Sequence, residues 1–121
     1  MTVILQGVSG AEVQINQWNW RPTTFLIAKA LGLEADRREN LTVNGIGEFM
    51  SPGEVERLAE FLEGYLADFP PDGRLLLDGT ITRAPKSYEL DLVGTSNYSA
   101  SYAWLIEFRE FCRASGGFTV I

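Results

Sequence analysis

Two tryptophans and an arginine lie close together near the start of the chain, and their side chains could bind a ligand. Trp18 and Trp20 would each offer an aromatic face to a planar molecule, and the guanidinium of Arg21 could stack on that molecule or pair with an anionic group. The pattern therefore predicts a ligand-binding site at these three residues. Tryptophans at the end of a strand also commonly fill hydrophobic cores, because each one buries a large apolar area.

Three glutamates repeat at helical spacing in the middle of the chain and could form a contact surface for another protein. Glu56, Glu60 and Glu63 fall on one face of a predicted helix, away from the apolar stripe of the same segment. Clustered carboxylates speed the encounter with a positively charged protein and fix its orientation. The spacing predicts a surface that binds a basic partner, although such a face also commonly contacts only solvent.

A second group of carboxylates could support metal binding or acid–base catalysis. Glu89 and Asp91 alternate on one face of a predicted strand, and Asp78 precedes Gly79 in a segment that could lie beside it. Convergent acids of this kind bind Mg²⁺ or transfer protons. Alternating acids usually only form a solvated strand face, and Asp78 before a glycine is typical of a bend or bulge. We therefore assign them neither a metal site nor a catalytic role.

The sequence contains no histidine and a single cysteine. Histidine is the commonest general base and a frequent zinc ligand, so its absence excludes Ser-His-Asp, Cys-His and histidine-based zinc hydrolase mechanisms. Cys112 stands at an apolar position of a predicted helix, and we predict a buried, unreactive thiol. Arg109 and Arg113 near the end of that helix are interpreted as structural. The composition favours a protein that is not an enzyme, with no catalytic residue, metal or cofactor.

The chain has 121 residues, of which 45% are apolar and 21% charged, a size and composition typical of one globular domain. Its formal charge of −6 and pI near 4.6 disfavour binding to nucleic acid, which is a polyanion. One cysteine cannot form an intramolecular disulfide, and neither a signal-peptide pattern nor a membrane-spanning apolar run is found. We expect a single domain over residues 1–121, located in the cytoplasm, that binds neither nucleic acid nor membranes.

The first half of the chain is predicted to form a β-hairpin followed by a helix. Alternating apolar residues indicate strands at 2–8 and 11–20, with a change of phase near Gln17 that predicts a bulge or an end to strand pairing. A short apolar helix is expected to begin around 21–24 and to end at Gly32. Beyond it, we expect a surface loop at 34–40, a short strand at 41–43 and a tight turn at Gly45 and Gly47.

The second half contains the clearest local signal, a capping box in which Ser51 is the N-cap and Glu54 reaches back to it. The helix that starts there is expected to continue to about Phe69. The remaining predicted elements are a buried central strand at 74–82, a solvent-facing strand at 88–92, a helix at 99–115 and a last strand at 118–121.

Three segments also resemble a group of short uncharacterised bacterial proteins. They are WNWRPT at 18–23, LLDGTIT at 76–82 and FCRASGGF at 111–118. The similarity extends from the N-terminal hairpin to the final strand. It implies a bacterial cytosolic protein and no particular activity.

These observations predict an α+β fold: a mostly antiparallel sheet with an N-terminal hairpin, and three helices in a single layer on that sheet. The leading hypothesis for function is a non-enzymatic protein-interaction module, in its specific form a small acidic inhibitor or immunity-type protein that neutralises a basic toxin. The alternative is a small-molecule-binding protein, with a pocket near Trp18, Trp20 and Arg21 and weak catalysis left open. A structural homo-oligomer is a third hypothesis, and the sequence leaves the oligomeric state open.

Overall fold

The strands form two antiparallel sheets, and helices are interspersed between them along the chain. The computed structural model describes residues 2–43, 45–84 and 98–121. In chain order, its elements are β1 (Thr2–Gly7), β2 (Glu12–Asn16), α1 (Gln17–Leu31), α2 (Ala35–Thr42), β3 (Phe49–Met50), α3 (Pro52–Ala67), β4 (Arg74–Leu76), β5 (Ile81–Thr82), β6 (Ser99–Ser101), α4 (Tyr102–Ser115) and β7 (Phe118–Val120). The predicted α+β class and the N-terminal hairpin are confirmed.

The larger sheet has four strands in the order β2-β1-β7-β3, and helices α1 and α4 contact its strands β1 and β2. Val3 and Leu5 of β1 are buried, and the register places them beside Ile15 and Val13 of β2. Residues that alternate with them, such as Gln6, are exposed. This period of two is expected of a sheet that packs on the core with one face and meets solvent with the other.

The second sheet has three strands in the order β5-β4-β6. Its central strand carries the buried Leu75, as predicted, but the segment 74–82 forms two strands rather than one. The chain turns at Gly79, whose φ of +88° lies in the left-handed region that glycine tolerates best. The predicted strand at 88–92 lies outside the described residues.

The core lies between the sheets and helices α1, α3 and α4. Trp20, Leu58, Leu62, Leu105 and Phe108 are among its fully buried side chains. α3 and α4 pack along each other, and α1 contacts β6 and α3. No helix of the described ranges is long and apolar enough to span a bilayer.

The first helix begins at Gln17, at least four residues before the start at 21–24 that the sequence pattern predicts. Asn16 is its N-cap, and its side-chain oxygen accepts a hydrogen bond from the backbone N–H of Asn19 at 3.0 Å. The predicted end of strand pairing near Gln17 is confirmed, because β2 ends at Asn16 and α1 follows directly. The expected extension of the strand segment to Trp20 was wrong. The helix ends at Gly32, as predicted, with a φ of +65°.

A helix also replaces the predicted loop at 34–40 and the predicted strand at 41–43. α2 covers most of both segments, so the described residues form four helices where three were expected. Its sequence is strongly polar and carries no apolar stripe, but Leu41 is fully buried and Arg37 is bound by acids of other elements. Tertiary contacts of this kind override a weak local pattern.

Two helix starts illustrate where local signals succeed and fail. The capping box is present: the Ser51 hydroxyl accepts from the backbone N–H of Glu54 at 3.2 Å, and the Glu54 carboxylate accepts from the N–H of Ser51 at 2.9 Å. The final helix, in contrast, begins at Tyr102 and not at Ser99, because residues 99–101 pair with β4 as strand β6.

Candidate functional site

The packing of α3 against α4 leaves a surface groove that contains the predicted glutamates. A cavity of about 370 Å³ is lined on the α3 side by Glu56, Glu60 and Glu63. Val55 and Ala59 of α3 and Cys112 of α4 also line it. The three glutamates are exposed, whereas these three smaller side chains are buried, so the groove has an acidic rim and an apolar floor.

One arginine partly neutralises this acidic rim. Arg113 of α4 forms an ion pair with Glu63 across the groove and a second one with Glu110 at 3.0 Å. Within the described residues, no ion pair involves Glu56 or Glu60. The structural role predicted for Arg113 thus includes a link between the two helices, and two carboxylates remain available to a partner.

The thiol in the groove floor is not placed for nucleophilic chemistry. Cys112 is only 2% exposed, and its burial raises the pKa of the thiol far above its usual range. The thiolate is the reactive form of cysteine, so the side chain acts as a small apolar residue here. Its predicted burial is confirmed, and its slow reactivity stays a prediction.

The two tryptophans of the predicted ligand site point in different directions. Trp20 is 0% exposed, and its indole N–H donates to the carbonyl of Leu41 at 2.8 Å. Trp18 is 40% exposed, and the centroid of its ring lies 4.5 Å from that of Tyr98. Positions two apart on a helix do not face each other, whereas they share a face on the strand that the sequence pattern predicted. The pair therefore forms no common binding surface.

Arg21 stays next to Trp18 because residues three apart on a helix are neighbours. Its guanidinium carbon lies 5.2 Å from the centroid of the Tyr98 ring, so Trp18 and Arg21 both contact this tyrosine. Sequence reasoning missed Tyr98, which reaches the cluster from the segment before β6. No local pattern connects it to residues so distant in sequence.

Arg21 also lines a second cavity, of about 450 Å³, between α1 and α2. The other lining residues that carry polar side chains are Thr24 of α1 and Arg38, Glu39 and Thr42 of α2; Leu77 adds an apolar contact. The guanidinium carbon of Arg38 lies 5.2 Å from the centroid of the Phe25 ring. Two arginines that lie over aromatic rings therefore line one cavity of an acidic protein.

The three acids considered for metal binding or catalysis, Asp78, Glu89 and Asp91, form no such site within the described residues. The Asp78 carboxylate accepts hydrogen bonds from the backbone N–H and the hydroxyl of Thr80, at 3.0 and 2.7 Å, and these bonds lower the pKa of Asp78. It shapes the turn between β4 and β5. Glu89 and Asp91 lie outside the described residues. In the ranges 2–43, 45–84 and 98–121, no three acid, cysteine or histidine side chains are placed to share a metal ion.

Sequence reasoning also missed an ion-pair network that fixes the start of α3. Arg37 of α2 pairs with both carboxylate oxygens of Glu54, donates to Glu48 at 2.8 Å and donates to the carbonyl of Phe49 at 2.9 Å. The hydrogen bonds from Arg37 lower the pKa of Glu54 to about 2, and those to Glu54 and Glu48 raise the pKa of Arg37. The network holds α2, β3 and the first turn of α3 together.

Comparison with known proteins brings no activity to this chain. No protein-family model, curated protein or solved structure matches it significantly. What the groove and the second cavity bind is therefore inferred from their own side chains.

Proposed function

We propose that this chain is a non-enzymatic protein-interaction module whose α3–α4 groove binds a basic segment of a partner protein. The observation that carries the proposal is the acidic rim of Glu56, Glu60 and Glu63 above an apolar floor. In its specific form, the module is a small inhibitor or immunity-type protein that neutralises a basic toxin.

The charge of the groove favours a cationic partner. The whole chain carries a formal charge of −6, and Glu56 and Glu60 have no ion-pair partner among the described residues. An arginine or lysine of the partner would approach these carboxylates without first displacing an internal cation. Complementary charge of this kind mainly raises the association rate and selects the partner.

The floor of the groove favours the long side chains of that partner. Lysine and arginine carry apolar stems below their charged ends, and such stems pack on apolar surface while the charge stays in water. Val55, Ala59 and Cys112, which line the same groove as the glutamates, provide that surface. Arg113 bounds the groove on the α4 side, where its ion pair with Glu63 leaves less room for a second cation.

The experiment compares two variants with equal charge. Glu56→Gln/Glu60→Gln neutralises the rim, and Glu12→Gln/Glu34→Gln neutralises two exposed glutamates of β2 and the N-cap of α2. Each is titrated with a fluorescent amphipathic peptide of lysine, alanine and leucine, at low and physiological salt. We expect the rim variant to bind about tenfold more weakly than the control, since two close charge pairs contribute roughly 1.4 kcal/mol together.

Equal affinity of the two variants would show that net charge, not the groove, attracts the peptide. Absence of saturable binding to the wild-type chain would also contradict the proposal. The natural partner is then sought by capture from a bacterial lysate. It should be a basic protein captured at a one-to-one ratio by the wild type and by the control, but not by the rim variant.

A further inference from the structure

We propose that the cavity between α1 and α2 is a second binding site, which holds the carboxylate or phosphate group of a small organic anion between Arg21 and Arg38. Both arginines line the cavity, which has a volume of about 450 Å³. That volume lies within the range of roughly 300–1,000 Å³ found for small-molecule sites. This site is separate from the α3–α4 groove, and the inference does not depend on the function proposed for that groove.

The aromatic contacts of the two arginines leave their hydrogen-bond donors available. Arg21 lies over the Tyr98 ring and Arg38 over the Phe25 ring, each with its guanidinium carbon 5.2 Å from the ring centroid. Each ring attracts the cation through its π face, and no hydrogen bond to a protein acceptor occupies either guanidinium within the described residues. The five N–H donors of each arginine are therefore available to a ligand.

The electrostatic environment supports the same conclusion. Other arginines of the described chain, such as Arg37 and Arg113, are paired with carboxylates. Within the described residues, no ion pair or hydrogen bond involves the guanidinium group of Arg21 or of Arg38. In a chain with a formal charge of −6, two such arginines at one cavity form a local positive centre. A carboxylate or phosphate accepts two parallel N–H bonds from a guanidinium, which makes it the best-matched ligand group.

The other polar groups of the cavity restrict what else the ligand carries. The hydroxyls of Thr24 and Thr42 donate to the carbonyls of Arg21 and Glu39, each at 2.7 Å, so only their acceptor capacity remains. The Glu39 carboxylate is likewise an acceptor and repels a second anionic group. The geometry thus favours an acid with one anionic group and a hydroxyl or ammonium donor, over an acid with several anionic groups.

The test uses the full chain and three probes: lactate, glycerol 3-phosphate and citrate. Binding is followed by isothermal titration calorimetry and by backbone amide shifts in ¹⁵N NMR spectra. We expect saturable binding of lactate or glycerol 3-phosphate, weaker binding of citrate, and shifts confined to α1, α2 and the turn near Leu77. Comparison of lactate with glycerol 3-phosphate distinguishes a carboxylate ligand from a phosphate ligand.

Variants locate the site. Arg38→Gln and Arg21→Gln should each weaken binding of the bound probe by about tenfold or more, because a hydrogen bond to a charged group is worth roughly 1.5–3 kcal/mol. Arg57→Gln on the exposed face of α3 removes the same charge elsewhere and should leave the affinity within about twofold. If Arg38→Gln does not fold, Glu39→Gln provides an independent test, since loss of its repulsion should tighten citrate binding.

Three results would overturn the proposal. They are the absence of saturable binding by both lactate and glycerol 3-phosphate, an equal loss of affinity in Arg57→Gln and in the cavity variants, and amide shifts centred on α3 and α4. The last two would indicate non-specific attraction or a different site.

Discussion

Replacement of Glu54 by glutamine should remove a pH-dependent part of the stability of the fold. The Glu54 carboxylate binds the Arg37 guanidinium through both oxygens and also accepts from the backbone N–H of Ser51. Glutamine keeps a side-chain oxygen that can accept from Ser51, so the capping box is retained in part. The change therefore acts mainly on the charge that faces Arg37.

The pKa of Glu54 gives the size of the effect. It falls from the ordinary value of 4.5 to about 2, because Arg37 donates hydrogen bonds to the ionised form. One pKa unit corresponds to about 1.4 kcal/mol, so ionisation of Glu54 stabilises the folded state by roughly 3 kcal/mol at neutral pH. The side chain is 14% exposed, which limits screening by solvent. A carboxylate whose pKa is lowered by folding stabilises the protein above its unfolded-state pKa and loses that contribution as the pH falls towards the folded value.

Urea denaturation followed by circular dichroism measures this difference. We expect the free energy of unfolding of Glu54→Gln to lie about 2–3 kcal/mol below that of the wild type at pH 7, and the gap to shrink steadily below about pH 4.5. Glu60→Gln is the control, because it neutralises an exposed glutamate of the same helix. A gap that is absent at pH 7, or that stays constant down to pH 3, would refute the proposed role of the Arg37–Glu54 pair.

Three further predictions concern single side chains. Trp20→Phe should lower the free energy of unfolding by about 2 kcal/mol or more in urea denaturation, through a cavity and loss of the bond to the backbone, whereas Trp18→Phe should change it by less than about 0.5 kcal/mol. Cys112 should react with a thiol reagent only at the rate of global or local opening, so labelling that is complete within the mixing time would contradict its burial. Gly79→Ala should destabilise the fold by roughly 1–2 kcal/mol, because alanine is strained at a φ of +88°. Its added Cβ would also meet the Phe25 ring, so calorimetry should show weaker anion binding at the α1–α2 cavity.

The elements that the sequence predicts well are those whose signals are local. The hairpin follows from alternation in β1 and β2, and the start of α3 follows from Ser51 and Glu54, which lie within one helical turn. α2 has no such local signal, since Arg37 contacts Glu48 and Glu54, which follow it by 11 and 17 residues. The start of α1 is hidden for a different reason: alternation predicts a strand through Asn16, whereas this residue is the N-cap of the helix.

The candidate sites likewise combine features that local spacing predicts with features that depend on tertiary packing. Spacing alone places Glu56, Glu60 and Glu63 on one face, and the structure brings them to one groove. The groove itself depends on how α4 packs against α3, and no sequence pattern contains that information. Arg21 stands out in the sequence by its neighbours, whereas Arg38 becomes its partner in a cavity only because the polar segment around it is helical.

The strand order of the larger sheet has a consequence for how the chain folds. β7 lies between β1 and β3, so the ladder that closes this sheet joins residues from nearly opposite ends of the described chain, such as Leu5 and Val120. Contacts of such long sequence separation form late, because the intervening chain must first lose much of its entropy. Until β7 docks, one edge of β1 lacks its partner strand, and an unpaired edge is a template for pairing with another chain. Slow docking of β7 would thus make the partly folded protein prone to aggregation.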